Sequence, residues 1–287
     1  HRDLHSFPTR RSSDLTGKKL GTVVEPAREI DVIHETDVLV VGSGPAGLAA
    51  ALAAARSGGS VTLVERFGCF GGNITTVGVE GMAWYRHEQT VEANGIGREF
   101  ETRAASIGAA VPESQSQSFE LDAEGFKVVA DVLVQEAGIH PMLHRSFVAP
   151  IMDGNAVVGI ITESKAGREA IRAKRVIDAT GDADVAHRAG APTFLAPREN
   201  LMASSVMFHI AGVDKKKFIE GVASDPQTYK DWAGNGEWSI DDGAHHSIRQ
   251  LINSFRFKDA GYYVGISCPC CQGKNHYFMK DISGQDE

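Results

Sequence analysis

The stretch VLVVGSGPAGLAAALAAARSGG, Val38 to Gly59, constrains the chain more than any other. From Val38 to Ala55 it carries no charge, about the length at which an apolar run becomes a candidate membrane span. It also holds Gly42, Gly44 and Gly47 at the spacing of a dinucleotide-binding turn. The two readings exclude each other, and helix physics separates them. Three glycines and Pro45 within six residues are poor material for a helix interior. DVLVV, Asp37 to Val41, is β-branched and apolar, as expected of a buried parallel strand. The segment therefore divides into strand, glycine turn and a helix from Ala46 to about Ser57, with no transmembrane segment.

Each glycine of such a turn has its own task. Gly42 permits the tight exit from the strand, Gly44 lets a pyrophosphate approach the backbone, and Gly47 lets the helix lie close to the sheet. The helix then offers unpaired N–H groups and the positive end of its dipole to phosphate. Ala51 and Ala55 continue a small-residue stripe from Gly47, and Gly58 ends the helix. VTLVE, Val61 to Glu65, is the second strand. Glu65 closes it twenty-three positions after Gly42, where a carboxylate accepts hydrogen bonds from a ribose. A lone glycine triplet would be weak; here strand, turn, helix, strand and acid fall in register.

Farther on, RFGCFGGN brings the pair Gly71-Gly72, a second place where backbone can lie flat against a ligand. AKRVIDATGDADVAHRAGAP, Ala173 to Pro192, holds an apolar strand with a turn at its carboxyl end, where open α/β sheets bind ligands. The pairing of the N-terminal glycine fingerprint with Asp178-Ala179-Thr180-Gly181-Asp182 resembles the FAD-dependent oxidoreductase family of the glutathione-reductase-like superfamily. Fumarate-reductase flavoproteins are more distant relatives. The resemblance runs from about Glu25 to about Asp214, and its motifs stand in the family's order.

The resemblance implies an α/β fold: a Rossmann-like FAD-binding domain with an antiparallel β excursion, residues 16–198, followed by an incomplete substrate domain, residues 199–287. It implies FAD as cofactor and hydride transfer between a small organic substrate and flavin N5. Gly44, Pro45 and Ala46 would cover the pyrophosphate, with Gly42 and Gly47 shaping the turn. Glu65 and Arg66 would meet the adenosine ribose and its surroundings, and Gly71, Gly72 and Asn73 would run towards the flavin. Val148, after the strand HPMLHRSF, would meet adenine through its backbone. Ala179, Thr180 and Gly181 would close over the dinucleotide, with Asp182 and Asp184 as polar contacts or as caps of the next helix. In the family a C-terminal segment returns to the flavin. This chain stops at DISGQDE, so the resemblance implies a fragment that binds FAD weakly through its adenosine half and does not turn over alone. The same fingerprint also serves an NAD-dependent dehydrogenase or a non-catalytic nucleotide-binding module.

The intervening chain reads as scaffold. FELDAEGFKVVADVLVQEAG places Phe126, Val129, Ala130, Leu133 and Ala137 on one helical face, with Asp122 as N-cap and Gly138 as stop. AVVGIITESKAGREAIRAKRVI reads as antiparallel strands around Lys165, Ala166, Gly167 and Arg168. PESQSQS, Pro112 to Ser118, is a loop. LMASSVMFHIAGVD begins a substrate-facing strand with His209 on it. His209, and His245, His246 and Arg249 in DDGAHHSIRQ, are of types that bind carboxylates or move protons, although a structural histidine and a surface loop are the plainer readings. Cys268, Cys270, Cys271 and His276 lack the ligand spacing of structural zinc, and no metal is expected. Cys69 has no partner at redox-dithiol spacing and reads as a small buried side chain.

Composition limits what remains. The net charge of −8 opposes nucleic acid as a partner. Four cysteines, three of them together, are no disulfide framework and suggest a reducing, cytoplasmic setting. Residues 1–15, HRDLHSFPTRRSSDL, resemble a sequencing adapter translated in frame, or else a basic tail, and are set aside. The electron partner is not legible.

Overall fold

A computed structural model describes residues 21–79, 81–82, 86–87, 90–91, 94–112, 119–195, 205–209, 217, 255–256, 262–267 and 276–281. The chain falls into two compact units, residues 1–72 with 130–196 and residues 73–129 with 197–287.

The first unit is built on a six-stranded sheet. Strand β1 (Val32–Val41) leads through the glycine turn into helix α1 (Pro45–Arg56) and on to β2 (Val61–Val64). The stretch that could have been a membrane span is thus a strand, a turn and a twelve-residue helix. No described helix is long and apolar enough to cross a membrane. Both strands are apolar because both faces are covered: Leu39, Val40 and Leu63 are fully buried. Helix α1 buries Gly47, Leu48, Ala51 and Leu52 and ends at Ser57, with Gly58 in the left-handed region.

Between β2 and the next strand of this sheet lie β3 (Gly81–Met82), β4 (Arg86–His87), β5 (Thr90–Val91), α2 (Ile96–Ser106), β6 (Ala110–Pro112), β7 (Phe119–Leu121) and α3 (Ala123–Glu136). Helix α3 has the expected limits. The Asp122 carboxylate accepts from Gly125 N–H at 2.8 Å, and Gly138 takes φ 65° to end it. Phe126, Val129, Ala130 and Leu133 are buried, as their spacing requires, and Ala137 is half-buried. Strand β8 (His140–Met142) follows, then β9 (Ser146–Asp153), β10 (Ala156–Ser164) and β11 (Gly167–Asp178). The sheet order is β8-β2-β1-β11-β10-β9. The first four strands are parallel, and β11, β10 and β9 form an antiparallel meander, the expected excursion. Leu39, Val41, Val64, Met142, Ile160, Ile171, Ala173 and Val185 form one core cluster.

One expected strand divides. HPMLHRSF is β8, a break at Leu143 to Arg145, and the start of β9. His144 adopts φ 55°, which no continuous strand tolerates. Val148 therefore lies inside β9 rather than after a strand.

A short helix, α4 (Asp184–Arg188), follows β11. In the second unit β3, β7 and β6 form one antiparallel sheet, and β4 pairs with β5. Phe100 of α2 stacks on Phe126 at 5.2 Å. Strands β12 (Ser205–His209), β13 (Phe255–Arg256), β14 (Tyr262–Ser267) and β15 (His276–Asp281) form a four-stranded antiparallel sheet in the order β12-β15-β14-β13. Pro112 ends β6; residues 113–118 of the expected loop lie outside the described residues.

Candidate functional site

The carboxyl ends of β1 and β11 meet. Ala179 N–H donates to the Val41 carbonyl at 2.9 Å, and Gly42 N–H donates to the Val64 carbonyl at 2.8 Å. Gly42 has φ 96°, and a Cβ there would lie 2.4 Å from the Ala179 carbonyl oxygen. At Gly47 a Cβ would lie 1.9 Å from the Gly42 carbonyl oxygen, so this glycine sets how closely α1 approaches the strand ends. Gly44 is different. Its φ of −61° suits any residue, and a Cβ on it would meet no described atom within 4 Å. The fold itself gives no steric reason for glycine at this position.

Gly44 is also the N-cap of α1, without a side-chain cap; Pro45 follows, and no acidic residue stands in the first turn. Leu48 N–H makes the first intrahelical bond, to the Gly44 carbonyl at 2.9 Å. Helix geometry leaves the N–H groups of Ala46 and Gly47 without an intrahelical acceptor, and Pro45 and Ala46 are exposed. This end of the helix carries the positive end of its dipole, an electrostatic setting that favours an anion.

Glu65 is buried, and its carboxylate already serves the fold. Oε2 accepts from Ser43 N–H at 2.9 Å and from Ser43 Oγ at 2.6 Å, while Oε1 accepts from Phe67 N–H at 2.9 Å. A carboxylate has about four acceptor positions, so one remains on Oε1. The loop beyond Glu65 returns to the glycine turn: Gly71 N–H donates to the Ser43 carbonyl at 2.9 Å. Gly72, at φ 52°, packs so closely that a Cβ would lie 2.7 Å from Gly44 Cα. Arg66 lies over the Phe67 ring at 4.7 Å. The segment after β8 holds this loop from the other side, through His144 N–H to the Phe67 carbonyl and Arg145 N–H to the Glu65 carbonyl. Asn73 is exposed and is the first residue of the second unit, its carbonyl accepting from Val79 N–H.

Asp178 organises the turn after β11. Its Oδ1 accepts from Thr180 N–H at 3.1 Å and Thr180 Oγ1 at 2.7 Å, and its Oδ2 from Ala186 N–H at 2.9 Å. Thr180 Oγ1 accepts in turn from Asp184 N–H at 2.9 Å. Asp178 and Thr180 therefore cap α4, and neither Asp182 nor Asp184 does. Gly181, at φ 89°, and Asp182 are exposed. Asp184 carries a buried Oδ1 without a hydrogen-bond partner. Burial pushes its carboxyl above the usual range; Asp182 and Asp178 add to this, and Arg188 and Arg66 oppose it.

Gly42, Gly44, Pro45, Ala46, Gly47, Glu65, Arg66, Gly71, Gly72, Val148, Ala179, Thr180, Gly181, Asp182 and Asp184 all lie in the first unit. His209 ends β12 opposite His276. His245, His246, Arg249, Cys268, Cys270 and Cys271 lie outside the described residues. Cys69 is half-buried. Among the described residues no group of three or more His, Cys, Asp or Glu side chains could hold a metal. Sequence reasoning missed Ser43, whose place inside the glycine triplet was its one signal, and the capping role of Asp178, which opens the DATGD run. It also missed Arg188, which donates to the Val148 carbonyl forty positions away.

Residues 37–282 match the family model described as FAD dependent oxidoreductase. The chain belongs to that family. Members of the FAD dependent oxidoreductase family are FAD enzymes, and the match favours FAD over the nicotinamide reading. The chain is 31% identical over 189 residues to digeranylgeranylglycerophospholipid reductase 2 of Methanopyrus kandleri, covering 63% of this chain and 46% of that protein. It is 29% identical over 237 residues to digeranylgeranylglycerophospholipid reductase of Methanoculleus marisnigri, covering 78% and 58%. The chain thus spans about half the length of these curated relatives. A geranylgeranyl bacteriochlorophyll reductase-like protein from Thermoplasma acidophilum matches with a TM-score of 0.45 and 22% identity, over 58% of this chain and 44% of that one. The parallel strands β8, β2, β1 and β11 with the β11-β10-β9 meander make the first unit a Rossmann-like α/β fold. FAD fits the residues present: the open Cβ direction at Gly44, the uncapped end of α1 and the unpartnered Asp184 oxygen all suit a phosphate-bearing, hydroxyl-rich ligand.

Proposed function

We propose that this oxidoreductase holds FAD across the carboxyl ends of β1, β2 and β11 and passes hydride between a small organic substrate and flavin N5. When bound, the flavin supplies the redox chemistry, and the protein supplies orientation and electrostatics. Gly44, Pro45 and Ala46 would lie along the pyrophosphate, with the Ala46 and Gly47 N–H groups as donors. Glu65 would offer its remaining acceptor position to a ribose hydroxyl, beside Arg66. Gly71, Gly72 and Asn73 would lead towards the flavin, and the Val148 backbone would meet adenine. Ala179, Thr180 and Gly181, with Asp182 and Asp184, would close over the dinucleotide. Residues 16–198 would form the FAD-binding part and 199–287 a substrate-facing part, where His209, His245, His246 and Arg249 are candidates for proton or carboxylate handling. The matched relatives carry the names of different reactions, among them digeranylgeranylglycerophospholipid reductase and thiamine thiazole synthase. The cysteine usage supports a reducing, cytoplasmic setting.

Gly44 carries this reading. A glycine that its own fold does not require, at the open end of a helix in the middle of the turn, is explained by a ligand lying against its Cα. The test is an equilibrium titration of FAD with the protein, followed by quenching of flavin fluorescence. The wild-type chain is expected to bind FAD and Gly44→Asp to show no binding. Equal affinity of the two refutes the site. Photoreduction of the bound flavin, followed by reoxidation with candidate acceptors, then tests the redox assignment.

A further inference from the structure

Val148 is the extra residue of a β-bulge. Strands β9 and β10 pair Phe147 with Thr162 and Ala149 with Ile161, which leaves Val148 unpaired on the edge strand of the sheet. Its carbonyl is nevertheless engaged. It accepts a hydrogen bond from Nη1 of Arg188, whose guanidinium also lies over the Phe147 ring, 5.4 Å from the centroid. Arg188 is the last residue of α4, and Asp184 the first. They stand four apart, the spacing at which a carboxylate and a guanidinium meet on a helix surface. Yet Asp184 Oδ1 is buried without a hydrogen-bond partner. The guanidinium acts electrostatically on the Asp184 carboxyl but makes no hydrogen bond to its Oδ1.

We propose that Arg188 is a displaceable stopper on the base-reading position. Without ligand its Nη1 fills the Val148 carbonyl; when the adenosine half of a dinucleotide binds, it moves to Asp184 Oδ1 and frees that carbonyl for the 6-amino group of adenine. The inference rests on the reading that Val148 meets adenine. A bulge residue offers one N–H and one C=O side by side, complementary to adenine N1 and its amino group. A guanidinium N–H is a planar donor of the same kind as that amino group, so it can stand in for it. Moving to Asp184 exchanges a charge-assisted bond to a carbonyl for one to a carboxylate and satisfies an orphaned buried oxygen. The move leaves the Val148 carbonyl unmet until adenine arrives, which offsets that gain and keeps the two arrangements close in free energy. Binding then carries a cost set by the fraction of molecules in which the carbonyl is open.

Titration calorimetry of the 287-residue chain with ADP and with inosine 5′-diphosphate tests this. Inosine carries an oxygen where adenine carries the amino group, so it cannot use the freed carbonyl. ADP is expected to bind the wild type more tightly than inosine diphosphate. Arg188→Met keeps an apolar stem over Phe147 and removes the donor; its ADP affinity should rise about fivefold, and its preference for ADP should widen. Asp184→Asn removes the charge that receives the guanidinium and should weaken ADP binding by a similar factor. In the Arg188→Met background the same change should cost clearly less than in the wild type, a non-additivity that a direct contact of Asp184 with the nucleotide would not produce. If ADP outcompetes inosine diphosphate but Arg188→Met binds it no more tightly, the stopper is overturned while the base-reading position stands. Additive effects of the two substitutions overturn it as well. Equal affinities of the wild type for the two nucleotides remove Val148 as the reading position, and the stopper with it. Should Asp184→Asn not fold, the nucleotide preference of Arg188→Met alone decides.

Discussion

Gly42, Gly44 and Gly47 belong to one motif, yet replacing them has opposite consequences. At Gly47 any side chain meets the Gly42 carbonyl at 1.9 Å, so Gly47→Ala should cost about 3 kcal/mol or more and lower the denaturant midpoint clearly. Gly44→Asp puts a favoured N-cap residue into open space, so the ligand-free protein should melt at or slightly above the wild-type temperature while losing FAD. A large fall in its melting temperature would show that Gly44 is held by protein contacts. Glu65→Gln separates two roles. A glutamine has one carbonyl oxygen for the donors of Ser43 and Phe67, so one donor is left unmet in a buried place. The expected loss is about 1–3 kcal/mol of stability, together with weaker FAD binding. A drop in affinity with unchanged stability would mean that ribose alone uses the carboxylate.

At the scale of the element, α4 is too short to stand by itself and depends on the cap supplied from β11. Asp178→Ala removes acceptors for Thr180 and for Ala186 and should destabilise the chain by about 2 kcal/mol. It should also abolish flavin retention by releasing the turn at 179–184; retention with a loosened α4 would dissociate the cap from the site. Helix α2 makes a prediction about pH. Burial raises the Glu101 carboxyl from 4.5 to about 7. The folded state therefore holds this proton more tightly than the unfolded chain. Its contribution is full below about pH 4.5 and is lost as pH rises to about 7. Glu101→Gln should flatten stability across that window and raise it by about 2 kcal/mol above pH 7, measured by urea unfolding at several pH values. An unchanged pH profile would show that Glu101 does not titrate there. The helical and hairpin limits in this chain were legible because each has a local cause: Asp122 and Gly138 bound α3, and the turn at Lys165 and Ala166 joins β10 to β11. The break after β8 was not, because what holds His144 at φ 55° includes its bond to Phe67, from a loop far away in sequence.

For the whole molecule, cofactor binding and folding of the first unit should be one linked equilibrium, since the proposed site is assembled from residues 42–72 and 148–184. FAD at a hundredfold excess over its dissociation constant should add about 2.7 kcal/mol, seen as a higher melting temperature. Hydrogen-exchange protection should rise most at residues 42–48 and 179–184. A melting temperature unmoved by saturating FAD would contradict the proposed site. The net charge of −8 opposes binding of a polyanion, so a polyphosphate of similar charge should not substitute for FAD.

The sequence by itself determined the strand–turn–helix unit and the antiparallel excursion, because periodicity, glycine spacing and turn chemistry are written in neighbouring residues, and the order of its motifs carried the resemblance to the family. It also placed Gly42 at the tight exit from the strand and Gly47 where the helix comes close to it. Only the tertiary structure decided which polar groups the fold keeps for itself. Glu65 looked like a free acceptor until Ser43 and Phe67 were seen to donate to it, and of the two readings of Asp182 and Asp184, polar contacts or caps, the second fell when Asp178 and Thr180 filled that place. Arg188 carried no signal at all. A hydrogen bond depends on where two atoms lie, and its acceptor is forty positions away on a strand whose bulge no local pattern announces.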